Sequence, residues 1–478
     1  MSFGSVLRAT GGAAAAGVLV LGATGWTGSF DLADPARPAA QAATTSITRQ
    51  VVCPGPDRPG AEGSENDRQT VEVSTALAPK AVVPRADSAG SVTAARLPST
   101  AGGSLTSQPR GKVSRGSLSG GGGLGLTASG GHAVGFAAVQ SAIDDTDRAR
   151  GLTLAACTAT TDDAWLPIGG AQDGRVARLV LTNPGANPVT VSASVVGAKG
   201  VAADKSADGV VVAPAGRTVL TFGAFGPDLA GAMVHVNATG GTVAVAVADL
   251  WMTGETTSGE AMTAPTAPPA TSQVIPAIAA GDGPTTVRIA VPGAEDAIAR
   301  VRVMDTDGNV VADEVRTVAA GAAGQIELKD VPQGSYVAEV TADVPVVAAV
   351  QTTTARSGRA DFGWSVAGEQ ITALAGGPVP AEVPASVVLA APGRGGAVLL
   401  HTVDASGRTT TRPVTVPGDR ATTVSLRGVA SVWLSVKRGP VWAGLAVSGT
   451  GPRGMPVNEA LTLAPVLDRP TVADAATG

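Results

Sequence analysis

Two cysteines and three histidines are the chain's whole stock of the residues that most often do chemistry at neutral pH. The histidines are His132, His235 and His401. None has another His, Cys or Glu at metal-ligand spacing, and no H-E-x-x-H occurs. His132 falls beside an expected hairpin turn, and His235 and His401 fall within expected strands, so structural roles are expected for all three. There is no G-x-S-x-G, so a nucleophile-elbow serine has no support. A triad assembled from distant parts of the chain stays open at this level.

The run DTDGN, Asp305–Asn309, offers paired aspartates with hard oxygen ligands for calcium. An EF-hand loop needs an acid at its twelfth position, which here is Arg316, and flanking helices. GAKG and DASGR occupy the same place elsewhere in the chain, so a tight turn is expected. The acids Asp144, Asp145 and Asp147 read as a solvated loop. Two stretches match G-x-G-x-x-G. Gly120–Gly125 lies in a glycine run where the match is nearly automatic. Gly449–Gly454 follows a strand, but Met-Pro comes next. A dinucleotide site needs a helix there, because its N-terminus holds the pyrophosphate. MTGETTSGE and TTTARSGRA hold the corresponding positions, and inter-domain connectors are expected at all three. No catalytic residue, metal or cofactor is expected.

Sugar recognition generally uses exposed aromatic rings. The chain has six Trp, six Phe and one Tyr. Trp165, Trp433 and Trp442 fall at core or inter-sheet positions. Trp251 and Trp364 lie near the connectors and are the expected exposed rings, hence the possible glycan contacts, although core packing is the simpler expectation for them too.

These residues must be positioned by something, and the composition says what. Aromatics are 3% of the chain while Gly and Pro number 63 and 33, so Ala and Val must fill the core. Such a composition favours strands. Three apolar runs end alike in Pro-Gly: VARLVLTNPG (Val176–Gly185), TTVRIAVPG (Thr285–Gly293) and ASVVLAAPG (Ala385–Gly393). Proline presets φ and glycine accepts positive φ, which suits a type II turn. After each turn the same order of strand-like runs follows, with turn signals every 8–12 residues, the pattern of an antiparallel sandwich. Each unit closes on a hairpin whose second strand is almost wholly apolar: VAVAVADL, VVAAVQTT and VWAGLAVS. Such a strand is expected to be buried on both faces. LTASGGHAVGFAAVQ (Leu126–Gln140) matches VNATGGTVAVAVAD (Val236–Asp249) and implies a degenerate earlier copy.

The expected architecture is all-β: tandem immunoglobulin-like or fibronectin-like antiparallel β-sandwich domains strung in series. The expected boundaries are a signal peptide or anchor at 1–27, a linker at 28–48, and a degenerate first domain at 49–168. Unit one is 169–279, unit two 280–380 and unit three 381–468, with a tail at 469–478. Arg8 precedes the small-residue apolar run Ala9–Gly25, a signal-type segment or short anchor below the ~20 residues that span a bilayer. Whether it is cleaved or retained stays open. In an exported chain Cys53 and Cys157 read as one disulfide; in a reducing cytoplasm they would be two thiols. Net charge is −5, with basic residues scattered, so no nucleic-acid footprint is present.

CPGP (Cys53–Pro56), RGLTLAAC (Arg150–Cys157), DDAWLPIGG (Asp162–Gly170) and RLVLTNPG (Arg178–Gly185), in that order, resemble an actinobacterial family of secreted or anchored proteins known as a domain of unknown function (DUF5719). The resemblance covers the chain best from Cys53 to about Ala279. It implies an extracytoplasmic, repeat-built β protein with Cys53 joined to Cys157. It also hints at the cell envelope, since members tend to be encoded near envelope glycosyltransferases. It carries over no catalytic residues.

The expected function is therefore a non-catalytic scaffold or protein-interaction module at the envelope, secreted or held on the outer face of the cytoplasmic membrane. Its partner would be an envelope protein or glycan, with membrane contact through the N-terminal segment if that is uncleaved. A cell-wall glycan-binding module is the second expectation, and an envelope hydrolase the third.

Overall fold

The structure is a computed structural model that describes residues 47–57, 69–86, 89–98, 102–105, 109–145, 150–170, 173–223 and 229–469. The expected signal or anchor segment, nearly all of the linker, Asp147 and all but the first residue of the tail lie outside the described residues. The chain divides into two units, Met1–Thr45 and Ser46–Gly478, and the second holds everything described below. The described residues are almost wholly strand, with short 3-10 turns and no α-helix. Accordingly, none of them forms a helix long and apolar enough to cross a membrane.

The strands form four two-sheet sandwiches of one topology. In unit one, the inner sheet runs in the order Gly216–Gly223, Arg175–Asn183, Ala244–Thr253, Thr256–Thr263. The outer sheet sets Ala207–Val212 beside Val189–Gly197, then Met233–Thr239 and Asp163–Pro167. Unit two repeats both orders, with one 23-residue strand, Gly334–Arg356, running through its two sheets. Unit three and the first domain repeat them again. Each later module begins one strand before the boundary expected at 169, 280 or 381, because Asp163–Pro167 pairs within unit one, Ala270–Ala280 within unit two and Leu374–Pro378 within unit three. In the first domain Gly123–Gly130 and Phe136–Asp145 stand where Met233–Thr239 and Ala244–Thr253 stand in unit one.

Valine and alanine build each core by alternation. In Ala244–Thr253, Val245 and Val247 point into the sandwich with Leu179, Val191 and Val234. Ala246 and Ala248 point the other way, against Ala155 of the first domain and Met262. A strand with two buried faces follows, as its continuous apolar run requires. The small outward residues let neighbouring sandwiches approach closely.

The sandwiches are not strung in series. Trp165 and Met233 of unit one pack on Ala290, Ala323 and Val347 of unit two. Val274, Ala279 and Met304 of unit two pack on Val388, Ala390 and Ala446 of unit three. Leu374, Val403 and Trp433 of unit three pack on Ala76, Ala78 and Val83 of the first domain. With the contact between the first domain and unit one, the ring is closed. At its centre meet the final strands of the four modules: Arg150–Ala156, Thr256–Thr263, Arg359–Val366 and Pro456–Thr462. Three of these did not stand out as strands in the sequence, because TTSGEAMT, RADFGWSV and PVNEALT each place an acid, and the first two also a glycine, inside a strand. MTGETTSGE, TTTARSGRA and GTGPRG are accordingly hairpin turns within each unit, not connectors between domains.

The Pro-Gly turns also differ from expectation. Only Gly393 adopts positive φ, at 71°; Gly185 and Gly293 do not. What recurs is a contact. The Gly185 carbonyl accepts from Ala215 N at 3.0 Å, and the Gly293 carbonyl accepts from Gly321 N at 3.0 Å. In unit three Gly393 N donates to Asp419 Oδ1 at 3.0 Å. Each partner lies in the same loop of its module and itself has positive φ (47°, 62° and 53°). The left-handed residue that sequence placed in the turn therefore sits in two units in the loop the turn packs against.

Cys53 and Cys157 form a disulfide, with Cα atoms 4.2 Å apart, across a separation of 104 residues. It joins the first strand of the first domain to the residue just after its last strand, both buried. Loop-closure entropy for such a span gives at most ~4–5 kcal/mol. Cys53→Ser combined with Cys157→Ser is therefore expected to lower unfolding stability by several kcal/mol at most, measured by denaturant titration. Thiol labelling of the wild type in denaturant without reductant should find no free thiol.

Candidate functional site

The largest gathering of buried polar groups lies where the modules meet. Arg175, at the start of its strand, is paired with Asp249 on the adjacent strand: Nη2 to Oδ2 is 2.6 Å and Nε to Oδ1 is 3.1 Å, with both side chains at 0% exposure. Trp364 of unit two donates its indole N–H to the same Oδ2 at 3.2 Å. The Arg175 guanidinium lies 4.3 Å from the Phe362 ring centroid and 5.9 Å from that of Trp251. Gln351, with its amide oxygen turned towards Arg175, accepts from Nη1 at 2.7 Å. A planar cation sandwiched by rings and doubly bonded to one carboxylate is a rigid joint.

A second buried arginine extends that joint. Arg288 of unit two donates Nη1 to the carbonyls of Ile168 at 2.7 Å and Ala232 at 2.8 Å, and Nη2 to Gly169. Its guanidinium lies 4.4 Å from the Trp364 ring centroid. Burial, reinforced by the nearby Arg175 charge and opposed by Asp249, lowers its pKa to about 9. A third joint fastens the first domain to unit one. Asp57 meets Arg178 at 3.1 Å and Arg217 at 2.8 Å, while Arg217 also donates to the carbonyls of Pro54 and Pro56.

At the ring's centre the four final strands are each the last of their sheet, so backbone N–H groups there lack a ladder partner. Carboxylates take them. Asp361 of unit two accepts from Leu152 N of the first domain at 3.4 Å and Asn458 N of unit three at 3.1 Å. Glu459 of unit three accepts from Ala460 N at 3.3 Å and turns its carboxyl towards the backbone of Trp364 of unit two and Met262 of unit one. Between them these two side chains touch all four modules. Gly151 has φ of 136°, and a β-carbon there would lie 2.5 Å from Asp361 Oδ1, so the strand passes only as glycine. Desolvation, reinforced by the Glu260 charge, holds the Asp361 carboxyl well above its ordinary range despite three backbone donors. Glu459 is raised likewise, by burial first and the Asp361 charge second.

The residues singled out by sequence fall in place around this frame. Trp364 is not an exposed ring: it is 2% exposed, because its indole is needed between two guanidiniums and Asp249. A ring so enclosed offers no face to a glycan, contrary to expectation. Trp251 is half-buried, edge-on to Phe362 at 6.5 Å between ring centroids. His235 stacks on Trp165 at 4.4 Å and meets Asp163 Oδ2 at 2.8 Å. His401 is buried between Thr411 and Ser435, and His132 is buried in its turn. DTDGN is a turn closed on itself: Asp305 Oδ1 accepts from Asp307 N and Asn309 N, each at 2.8 Å. Asp404 does the same for Ser406 and Arg408 in DASGR. Among the described residues no three His, Cys, Asp or Glu side chains are grouped so as to hold a metal ion. Arg175, Asp249, Arg288, Asp361 and Glu459 are functional residues of this frame that the sequence alone did not single out. Asp249, Arg288 and Glu459 carry one visible signal, each being the only charge in its strand, whereas Arg175 and Asp361 share theirs with Arg178 and Arg359.

A family of unknown function (DUF5719) matches residues 111–427. No curated protein matches the chain. Among solved structures, Thermotoga maritima 1070 matches at 16% identity and a TM-score of 0.19, over 20% of this chain and 92% of its own. A tetra-tandem repeat from the extending region of a large adhesion protein matches at 14% identity and a TM-score of 0.11, over 87% of this chain and 99% of its own.

A raised carboxyl binds its proton more tightly folded than unfolded. The folded state is thus unpenalised below the ordinary carboxylate pKa of about 4, and stability falls as pH rises from there through the folded values. The variant D361N/E459Q should therefore gain stability relative to wild type progressively from about pH 4 upwards, read as the difference between thermal midpoints at each pH. A difference independent of pH would contradict the raised carboxyls of Asp361 and Glu459.

Proposed function

We propose, from the premise that the chain belongs to the family of unknown function DUF5719, that it is a non-catalytic interaction scaffold acting outside the cytoplasm at the cell envelope. The observation that carries this reading is the use to which the motif residues are put. Asp57 follows CPGP and ties the first domain to unit one. Gly151 and Leu152, in RGLTLAAC, meet Asp361. Ile168 and Gly169, in DDAWLPIGG, accept from Arg288. Arg178, in RLVLTNPG, holds Asp57. Sequence invested in fixing four modules rigidly together presents a fixed set of outer faces, which suits holding partners in a set geometry. The Cys53–Cys157 disulfide supports an oxidising compartment, and an uncleaved N-terminal segment would add an anchor on the membrane's outer face.

Binding of envelope glycan is the second reading, favoured by the partly exposed Trp251 ring. Crosslinking in the native cell, followed by identification of what is bound, separates the two. A scaffold should yield defined envelope proteins. Recovery of glycan alone, with Trp251→Ala losing retention on cell-wall polysaccharide while the fold survives, would replace it by the second reading. Turnover of an envelope substrate by the purified chain would overturn both.

A further inference from the structure

All the exposed large apolar side chains among the described residues lie on the outer sheets of units one and two: Val201, Val211, Ile298, Val310 and Val315. Three of these belong to one hairpin, Ala297–Met304 with Val310–Val318. Val310–Val318 ends its sheet, so its far edge has no strand neighbour among the described residues. Residues 313–317 are exposed on both faces.

Open edges invite pairing, and proteins usually blunt them with proline, glycine, bulges or charge. The equivalent strands of the sister units carry such devices. Ala207–Val212 is short, contains Gly209 at φ of 67°, and shifts register against its neighbour. Thr409–Val416 contains Pro413. Val310–Val318 is nine residues long, has neither glycine nor proline, and shifts register only at its turn end, by Val303 and Met304. Its charges are also arranged differently. Asp313 is already held by Arg300 at 2.6 Å. Glu314 and Arg316, flanking Val315, form no ion pair among the described residues.

We propose that this chain associates with a second copy of itself through antiparallel pairing of Val310–Val318 with its symmetry mate, centred on Val315. In an antiparallel pair centred on one residue, that residue faces itself and its neighbours face each other's opposites. Val315 at 63% exposure then meets Val315 of the other copy, covering the most exposed large apolar side chain. Glu314 meets Arg316 of the other copy, and the symmetry produces that ion pair twice. Opposite charges placed directly across a sheet attract, and like charges repel. Parallel pairing would instead set Glu314 beside Glu314 and Arg316 beside Arg316, so the charges select the antiparallel register. One strand pair covers less than a standard interface, so the dimer is weak and depends on concentration. The second copy adds two outer sheets into one continuous sheet and so doubles the faces presented.

Sedimentation of the full chain over a concentration series tests this with three variants. The wild type should show a monomer–dimer equilibrium. E314R and R316E each create two like-charge contacts and should weaken it by about tenfold or more. E314R/R316E restores both pairs in reversed polarity and should return to within about threefold of wild type. The altered side chains are exposed, and unchanged thermal midpoints would show the fold intact. A wild type monomeric throughout the series overturns the proposal, as does a dimer that ignores the single swaps or a double swap without recovery. Saturable binding of an extended peptide from another protein at this edge, with no self-association, would assign the edge to a different partner and equally end it.

Discussion

The architecture depends on how the exposed edges of four sheets are satisfied in one buried place. Each module brings its last strand to the centre, and a last strand carries backbone donors with no ladder partner. Buried unpaired donors cost about 1–3 kcal/mol each, so the ring can close only if something accepts those bonds. Asp361 does so, accepting from Leu152 N and Asn458 N of two other modules, and Glu459 faces the backbone of units one and two beside it. Burial makes these carboxyls hard to ionise, yet their oxygens remain acceptors either way. The glycine at position 151 is the complementary half of the solution, since a side chain there would occupy the space of Asp361.

The same constraint explains why arginine, not lysine, sits at the inter-module joints. A guanidinium can bond one carboxylate twice, lie against an aromatic face and still donate to carbonyls. Arg175 combines the first two, and Arg288 the last two. A lysine ammonium has neither the planar face nor the fork. Trp364 completes the arrangement because its ring takes both cations while its N–H reaches Asp249. Charge buried in this way fixes relative placement, and the apolar contacts around it supply the attraction.

With the centre so committed, variation among modules falls on the outer sheets. Ala207–Val212, Val310–Val318 and Thr409–Val416 occupy one position in three copies of a topology but differ in length, glycine, proline and charge. The inner strands differ as well, yet there each difference is answered by a neighbour: glycine against Asp361, or Glu459 against the backbone of units one and two. On the outer strands Asp313 is answered by Arg300, but Val315 stays exposed among the described residues, which makes such positions natural places for partners to read.

Local chemistry determined much of this protein directly. Alternation of valine with small or polar residues specified the strands. The acids of DTDGN and DASGR specified self-closed turns, because an aspartate one residue before a turn reaches the amides two and four residues on. The recurring order of runs specified one topology repeated. Tertiary structure alone decided the rest. Nothing in the spacing of Pro-Gly showed that the left-handed residue would lie in the facing loop for units one and two. Nothing in RADFGWSV showed that Trp364 would be enclosed between cations contributed by residues 175 and 288. Turns and alternation arise from interactions a few residues apart, which a sequence displays. Ring closure arises from long-range contacts between strands about a hundred residues apart, and those become visible only when the chain has folded.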